Sequence, residues 1–339
     1  MGEFMIKCDI VVGLSYGDEG KGKITNYLIT NKNYDRCIRF NGGCNAGHTI
    51  YNAGKKVVTH HIPAGALHGV TSIIGPGCVV DPEKFMQEID DLENAGFSVY
   101  NNIKIANNAH VIQDAHKEFD GKDIKIGTTR SGNGPAYSEK YARTGIRAEE
   151  DRRLSDFIID YSEELQMMHA KDYYILFEGA QGFGLDIDHG NYPYVTSSHC
   201  TSSGALLNGA SWKSVNRVYG IAKCYDTYVG ALKFQDIYDS NLEALQVAGN
   251  EYGATTGRKR QCNYLDIELL KRSLIINGVT DVIFNKLDVL REVDVWRVIN
   301  HGKTLDCFDE KSYKSFITDT VREVDPDIKV RFSASVEVI

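Results

Sequence analysis

The chain has 339 residues, 42% hydrophobic and 25% charged, with a formal net charge of −8, a composition ordinary for a folded globular protein of one or two domains. The acidic balance argues against a general nucleic-acid binder, and no apolar stretch approaches the ~20 residues of a membrane span. Eight cysteines are scattered without a Cys-x-x-Cys pair, which is neither a zinc frame nor a disulfide framework and points to a reducing, cytoplasmic compartment.

Met1-Gly2-Glu3-Phe4 ahead of Met5 reads as a cloning remnant, and no signal-peptide pattern follows it. The first predicted strand, over 8–14, runs into Gly17-Asp18-Glu19-Gly20-Lys21-Gly22-Lys23, and a helix is predicted over 21–28. Strand, glycine turn and helix form the layout of a phosphate cradle, in which backbone N–H groups and a positive helix end meet an anion. It is no Walker A loop, because neither Ser nor Thr follows the lysine. Asp18 and Glu19 would repel a phosphate unless one holds Mg²⁺ or takes a proton. A plain turn with solvated charges is the alternative. The next strand, over 37–40, leads to Asn41-Gly42-Gly43-Cys44-Asn45-Ala46-Gly47-His48-Thr49. There His48 is the one group able to move protons near neutral pH, unless it is structural.

A strand over 72–74 and a helix over 82–94 precede Gly127-Thr128-Thr129-Arg130-Ser131-Gly132-Asn133-Gly134-Pro135-Ala136-Tyr137, which runs on to Arg143 and Arg147. Hydroxyls, glycine amides and arginines together suit a monoester phosphate, or else a polar surface loop. A helix over 152–169 and a strand over 174–177 follow. Then come Phe177-Glu178-Gly179-Ala180-Gln181-Gly182 and, further on, Thr196, with Gln181 and Thr196 able to bind an anion or a base. Asp186, Asp188 and His189 are read as holding their loop by Asx-type bonds rather than as a metal site. After a strand over 218–222, Gly253-Ala254-Thr255-Thr256-Gly257-Arg258-Lys259-Arg260 could clamp a dicarboxylate or form a basic surface run. A helix over 265–277 and a strand over 282–285 lead to Asn285-Lys286-Leu287-Asp288, which matches the guanine-reading signature of GTP-binding proteins, though four residues by themselves match as readily by chance. A helix over 310–324 and a strand over 328–332 close the chain. The alternation predicts an α/β fold with a mostly parallel central sheet flanked by helices, in one domain over 5–339. The unusual loops follow predicted strands, where ligands bind in open α/β sheets.

In order and without long gaps, from about Asp9 to Asp288, these motifs resemble the adenylosuccinate synthetases. The resemblance implies a P-loop-like, GTP-binding-type core with long functional loops. It also implies a two-step ligation: a nucleoside triphosphate phosphorylates the 6-oxygen of a purine mononucleotide, and the amine of L-aspartate displaces that phosphate. Asp18 would take the N1 proton and hold Mg²⁺ with the carbonyl of Gly47. His48 would act on charge developing at O6 and the γ-phosphate, and Lys21 on the phosphates. Gly17, Glu19, Gly20, Gly22, Lys23 and Thr49 would complete the triphosphate site, with Lys286 and Asp288 reading its base. Asn45, Thr128, Thr129, Gln181, Thr196, Val229 and Arg143 would hold the mononucleotide, Arg143 arriving from the second subunit of a homodimer. Thr255, Thr256, Gly257, Arg258 and Arg260 would hold aspartate.

The chain departs from the family pattern at Ser15-Tyr16 (usually Gln-Trp), at Ala231-Leu232-Lys233-Phe234 (usually Gly-Pro-Phe-Pro) and at Ala334-Ser335-Val336 (usually Thr-Gly-Pro). These changes, with the short length, lean the acceptor toward dGMP, as in phage relatives that make 2-amino-2′-deoxyadenylosuccinate in the host cytoplasm. Asp18, often lost in those relatives, and the intact Asn285–Asp288 signature keep open the ordinary pairing of IMP with GTP; the donor stands between GTP and ATP. A GTP-binding switch protein is a third reading, disfavoured by the missing Walker A loop.

Overall fold

The first apolar run forms the centre of the molecule. In the computed structural model, which describes residues 6–52, 54–235, 238–253 and 257–334, β1 (Lys7–Gly13) is buried at every position after Lys7. It lies in a nine-stranded sheet with β2 (Arg36–Arg39), β3 (Ser72–Ile74), β4 (Ile103–Ala106), β5 (Ile158–Ile159), β6 (Tyr174–Glu178), β7 (Val215–Lys223), β8 (Asp281–Asn285) and β9 (Lys329–Phe332). The order across the sheet is β9-β8-β7-β1-β6-β2-β3-β4-β5, and every pairing is parallel. Seven of the nine strands stand out in the sequence, the central ones because parallel strands covered on both faces are apolar throughout rather than alternating, and β9 as an edge strand that alternates exposed and half-buried positions. The two that do not, β4 and β5, lie at one edge.

Helix Pro82–Asn94 and helix Glu310–Val324 match their predicted bounds. The helix predicted over 152–169 is corrected. Residues Arg152–Phe157 form 3₁₀ turns, β5 follows, and only Tyr161–Ala170 is α-helical. Asp160 breaks the run: its carboxylate accepts from Ser162 N and Glu163 N, so the helix starts there. In the same way Asp266 caps Glu268 N and Leu269 N, and the helix predicted from 265 begins at Ile267.

Strand order decides where the loops meet. From β1 the chain passes over one position to β2, returns later to fill that gap with β6, and then crosses to the far side of β1 as β7. The carboxyl ends of β2, β6, β1, β7 and β8 therefore lie side by side at the switch in strand order, the usual ligand position in such sheets. Backbone bonds lock the exits together: Gly179 N donates to Val11 O at 2.9 Å, Leu14 N to Ile221 O at 2.9 Å, and Cys224 N to Asn285 O at 2.9 Å. A smaller sheet of Tyr225–Tyr228, Gln261–Asp266, Arg297–Asn300 and Lys303–Asp306 and a hairpin of His48–Asn52 with Lys55–Thr59 stand beside this edge. All eight cysteines are unpaired and seven are buried. Among the described residues no helix is long and apolar enough to cross a membrane.

Gly13 marks how closely the exits approach. A Cβ there would fall 2.6 and 2.7 Å from the Glu19 carboxylate oxygens and 2.7 Å from the Gln181 carbonyl. Gly13→Ala is expected to lower stability by about 1–3 kcal/mol through overpacking, measured as a shift in the urea unfolding midpoint at unchanged slope.

Candidate active site

The glycine turn after β1 bends through left-handed backbone at Gly17 (φ 87°), Asp18 (φ 59°) and Gly20 (φ 94°), a path that favours glycine. Glu19 turns inward and is buried. Its carboxylate accepts from Gly17 N at 2.8 Å, Ser15 N at 3.2 Å and Lys21 Nζ at 2.6 Å. Glu19 therefore shapes the turn from within and neutralises Lys21. Asn285, at the end of β8, donates to the Glu19 carbonyl at 2.8 Å and ties the turn to the Asn-Lys-x-Asp segment. Lys23 reaches Asn285 Oδ1 at 3.1 Å and Ser333 Oγ at 2.5 Å. Burial and Lys286 lower its pKa, against Asp288, to about 8.

His48 is not in a turn but opens a hairpin strand. Its Nδ1 lies 2.6 Å from Glu178 Oε1, the last residue of β6. Glu178 is fully buried and also receives Arg39 at 2.5 Å and Ala64 N at 2.9 Å. Burial alone would raise its pKa, but Arg39 and His48 outweigh burial and hold it at about 2. An ionised Glu178 only accepts, so His48 carries its hydrogen on Nδ1. Burial, with the nearby charges of Arg39 and Lys21, drives the imidazole down to about 4. The ring is neutral, and its buried Nε2 has no partner among the described residues.

A second ionic ladder begins at Asp18, whose Oδ2 is 2.8 Å from Arg260. Arg260 bonds on to Glu251. Glu251 is fully buried and also accepts from Lys223 at 2.9 Å and Tyr225 at 2.6 Å. Burial is again overruled, by Lys223 and Arg260, and Glu251 is held at about 2. Negative and positive groups thus alternate from the surface turn into the end of β7.

These parts face one cavity of about 1460 Å³, above the ~300–1,000 Å³ common for a single small ligand. Gly17, Asp18, Glu19, Gly20, Lys21, Gly22, Lys23, Asn45, Gly47, His48, Thr49, Thr128, Thr129, Gln181, Thr196, Val229, Arg258, Arg260, Lys286 and Asp288 all line it. Arg258 also donates to Gly127 O at 3.1 Å, joining two of the loops. Arg143 is exposed at the end of helix Asn133–Ala142 and Gly257 is exposed too; neither lines the cavity. Thr255, Thr256, Ser335 and Val336 lie outside the described residues. Asp186 accepts from Asp188 N, His189 N and Cys200 N, the expected loop-holding role. Asp188, His199 and Asp186 still bring three ligand atoms within 4.8 Å of one another.

The changed segments divide. Ser15 is buried and turned away from the cavity, donating to Asp226 at 2.5 Å. Tyr16 lines it with Tyr228 and packs edge-on against Tyr228 and Phe234. Motif reading missed Arg39, Glu178 and Lys223 as site residues. Each closes a buried strand of the main sheet, and a charge at the carboxyl end of an apolar strand is the signal that could have found them.

Comparison with known proteins agrees with this geometry. The family model described as adenylosuccinate synthetase matches residues 10–152 and 148–329. The adenylosuccinate synthetase of Chlorobium chlorochromatii is 38% identical over 371 residues, covering 94% of this chain and 84% of its own. That of Deinococcus radiodurans is 37% identical over 332 residues, covering 84% and 81%. Among solved structures, fully ligated adenylosuccinate synthetase from Plasmodium falciparum superposes with a TM-score of 0.81 at 28% identity, covering 97% of each chain. The succinoaminodeoxyadenylate synthetase of cyanophage S-2L, bound to dGMP and dATP, shares the fold with a TM-score of 0.72 at 21% identity, covering 93% and 99%.

Asp226 provides a test by pH. Burial raises its carboxyl from 3.8 to about 7, against the hydrogen bond from Ser15. Between those values the folded chain holds a proton that the unfolded chain has released, so this group's contribution to stability falls as pH rises toward 7. Asp226→Asn can still accept from Asp266 N while its amide donates to Ser15 Oγ, reversing the bond that Ser15 donates to Asp226, and it removes the titration. Its Tm relative to the unaltered protein is expected to climb from pH 4 to pH 7 and then level, read by thermal scans across that range.

Proposed function

The chain belongs to the adenylosuccinate synthetase family, and from that premise we propose that it joins L-aspartate to the 6-position of dGMP, driven by hydrolysis of a nucleoside triphosphate. The observation that carries the ligation is the meeting, in one cavity, of Asp18, the unpartnered Nε2 of His48, the glycine turn and the Lys286–Asp288 pair. A purine 6-oxygen is a poor nucleophile until N1 loses its proton, and a poor leaving group until it is phosphorylated. Asp18 is the base for the first need. His48 serves the second: a triphosphate set beside Nε2 adds negative charge, which favours the imidazolium and turns a neutral ring into a donor toward O6 and the γ-phosphate. Glu178 keeps the ring oriented throughout. The aspartate carboxylates meet Arg258 and Arg260, and they compete with Asp18 for the Arg260 guanidinium.

Magnesium fits the donors present. Asp18 and Gly47 both line the cavity; a carboxylate and a carbonyl are hard oxygen donors, and an ion held by them would neutralise phosphate charge.

The choice of dGMP rests on the aromatic wall. The Tyr16 hydroxyl oxygen accepts from Asn191 Nδ2 at 3.2 Å. The rings of Tyr16, Tyr228 and Phe234 pack together and give this wall an apolar face, against which a deoxyribose gives up less hydration than a ribose with its 2′-hydroxyl. The rival acceptor IMP, with GTP, is favoured by the 37–38% identity to bacterial adenylosuccinate synthetases and by the retained Asp18. Phosphate release with L-aspartate and Mg²⁺ decides, using IMP, dIMP, GMP and dGMP each with GTP and ATP. Turnover of dGMP with IMP inert is the expected result. Turnover of IMP alone overturns the acceptor, and no aspartate-dependent release with any pair overturns the ligation.

Arg143, exposed and away from its own cavity, is placed by this reading in the partner's active site of a homodimer. Asp18→Ala and Arg143→Leu are each expected to abolish turnover. Mixed and reassorted, they should regain about a quarter of full activity, since half the dimers are hybrids and each hybrid has one intact site. No recovery would mean a self-contained site.

A further inference from the structure

Asn133 is the one polar side chain at the mononucleotide end of the cavity whose carboxamide is left wholly unused. It is 94% buried, lines the cavity, and neither Oδ1 nor Nδ2 has a hydrogen-bond partner among the described residues. Burying an amide without partners is unfavourable, so a residue kept only for packing would be better served by an apolar side chain of the same size.

Its position says what it waits for. Asn133 is the first residue of the ten-residue helix Asn133–Ala142, whose cap, Gly132 (φ 76°), offers no side-chain bond. That helix end carries partial positive charge and is short of one amide, because Pro135 has no N–H to offer in the first turn. The end is wedged between two other loops. A Cβ on Gly43 would fall 2.3 Å from Asn133 Oδ1, and one on Gly134 would fall 3.5 Å from Ser197 Oγ. On the first of those loops Asn45 Oδ1 takes the amide of Gln181 at 3.1 Å. Asn133 therefore stands among Asn45, Thr129, Gln181 and Thr196, donors and hydroxyls facing one space. The Asp120 carboxylate, bonded to Gly132 N at 2.8 Å, is the acid closest along the turn.

We propose that Asn133 is a binding residue for the acceptor nucleotide, its Nδ2 donating to the 5′-phosphate seated over the first turn of helix Asn133–Ala142. This rests on the reading of the cavity as a mononucleotide site. The carboxamide supplies the donor that Pro135 withholds, and its burial excludes competing water.

Calorimetric titration of the full chain tests it, with dGMP and IMP beside deoxyguanosine and inosine, for the unaltered protein, Asn133→Leu and Asn133→Asp. Asn133→Leu is expected to bind the mononucleotide about 10- to 100-fold more weakly, the loss of one hydrogen bond to a charged group. Nucleoside and triphosphate affinities should stay unchanged, with a Tm equal to or above that of the unaltered protein. Asn133→Asp should weaken mononucleotide binding further, by repulsion, again sparing the nucleoside. Mononucleotide affinity within about twofold for Asn133→Leu, an equal loss for the nucleoside, or a clearly lowered Tm would each overturn the proposal. Nucleotide binding undisturbed in Asn133→Asp would do so independently of how the leucine variant folds. Failure of the unaltered chain to bind any mononucleotide would instead remove the functional reading, and this inference with it.

Discussion

Two buried carboxylates hold the chemistry in place. Glu178 closes β6 and Glu251 precedes the arginine-rich loop; both are fully buried and each gathers hydrogen-bond donors from separate parts of the chain, Arg39, His48 and the Ala64 amide for the first and Lys223, Tyr225 and Arg260 for the second. A charge out of water survives only with its partners, and breaking such a pair costs about 3–5 kcal/mol. Against a net stability of ~5–15 kcal/mol for a typical domain, neither cluster is free to rearrange. Glu178 thereby joins β6 to β2 and the His48 hairpin. Glu251 joins β7 to the smaller sheet and, through Arg260, to the glycine turn.

Rigidity at this depth is what lets mobile chemistry occur above it. His48 has one nitrogen tied to a carboxylate that stays ionised and one, Nε2, that is buried and without a partner among the described residues, and burial with neighbouring positive charge holds the ring neutral. Asp18 and Arg260 neutralise each other. Glu19 and Lys21 form a similar internal pair. Charges that would otherwise stand bare on the cavity wall are thus held balanced by internal partners.

The loops read as motifs in the sequence proved to be neighbours because strand order, not spacing along the chain, gathers them. Gly17–Lys23, Asn45–Thr49, Thr128–Thr129, Gln181, Thr196 and Lys286–Asp288 come from across the chain and line one cavity. Their glycines, hydroxyls and arginines were legible because loops that approach ligands need unusual residues. The apolar strands were legible because a two-sided parallel sheet demands unbroken hydrophobic runs. Where reading failed, a local capping carboxylate had overridden a periodic pattern: Asp160 turned a predicted helix into turn, strand and helix.

The sequence alone determined the fold class and the family and marked candidates for binding phosphate and moving protons, since each depends on local composition and order. Tertiary structure alone decided where those candidates point and what they meet. It turned Ser15 and Glu19 inward, set Arg143 outside its own cavity, and left the Asn133 carboxamide without a partner among the described residues. It also raised Arg39, Glu178 and Lys223 from strand ends to the supports of the site. The physical reason is that burial and partner choice are properties of residues far apart in the chain, and no spacing rule reports which distant charge a buried group will meet.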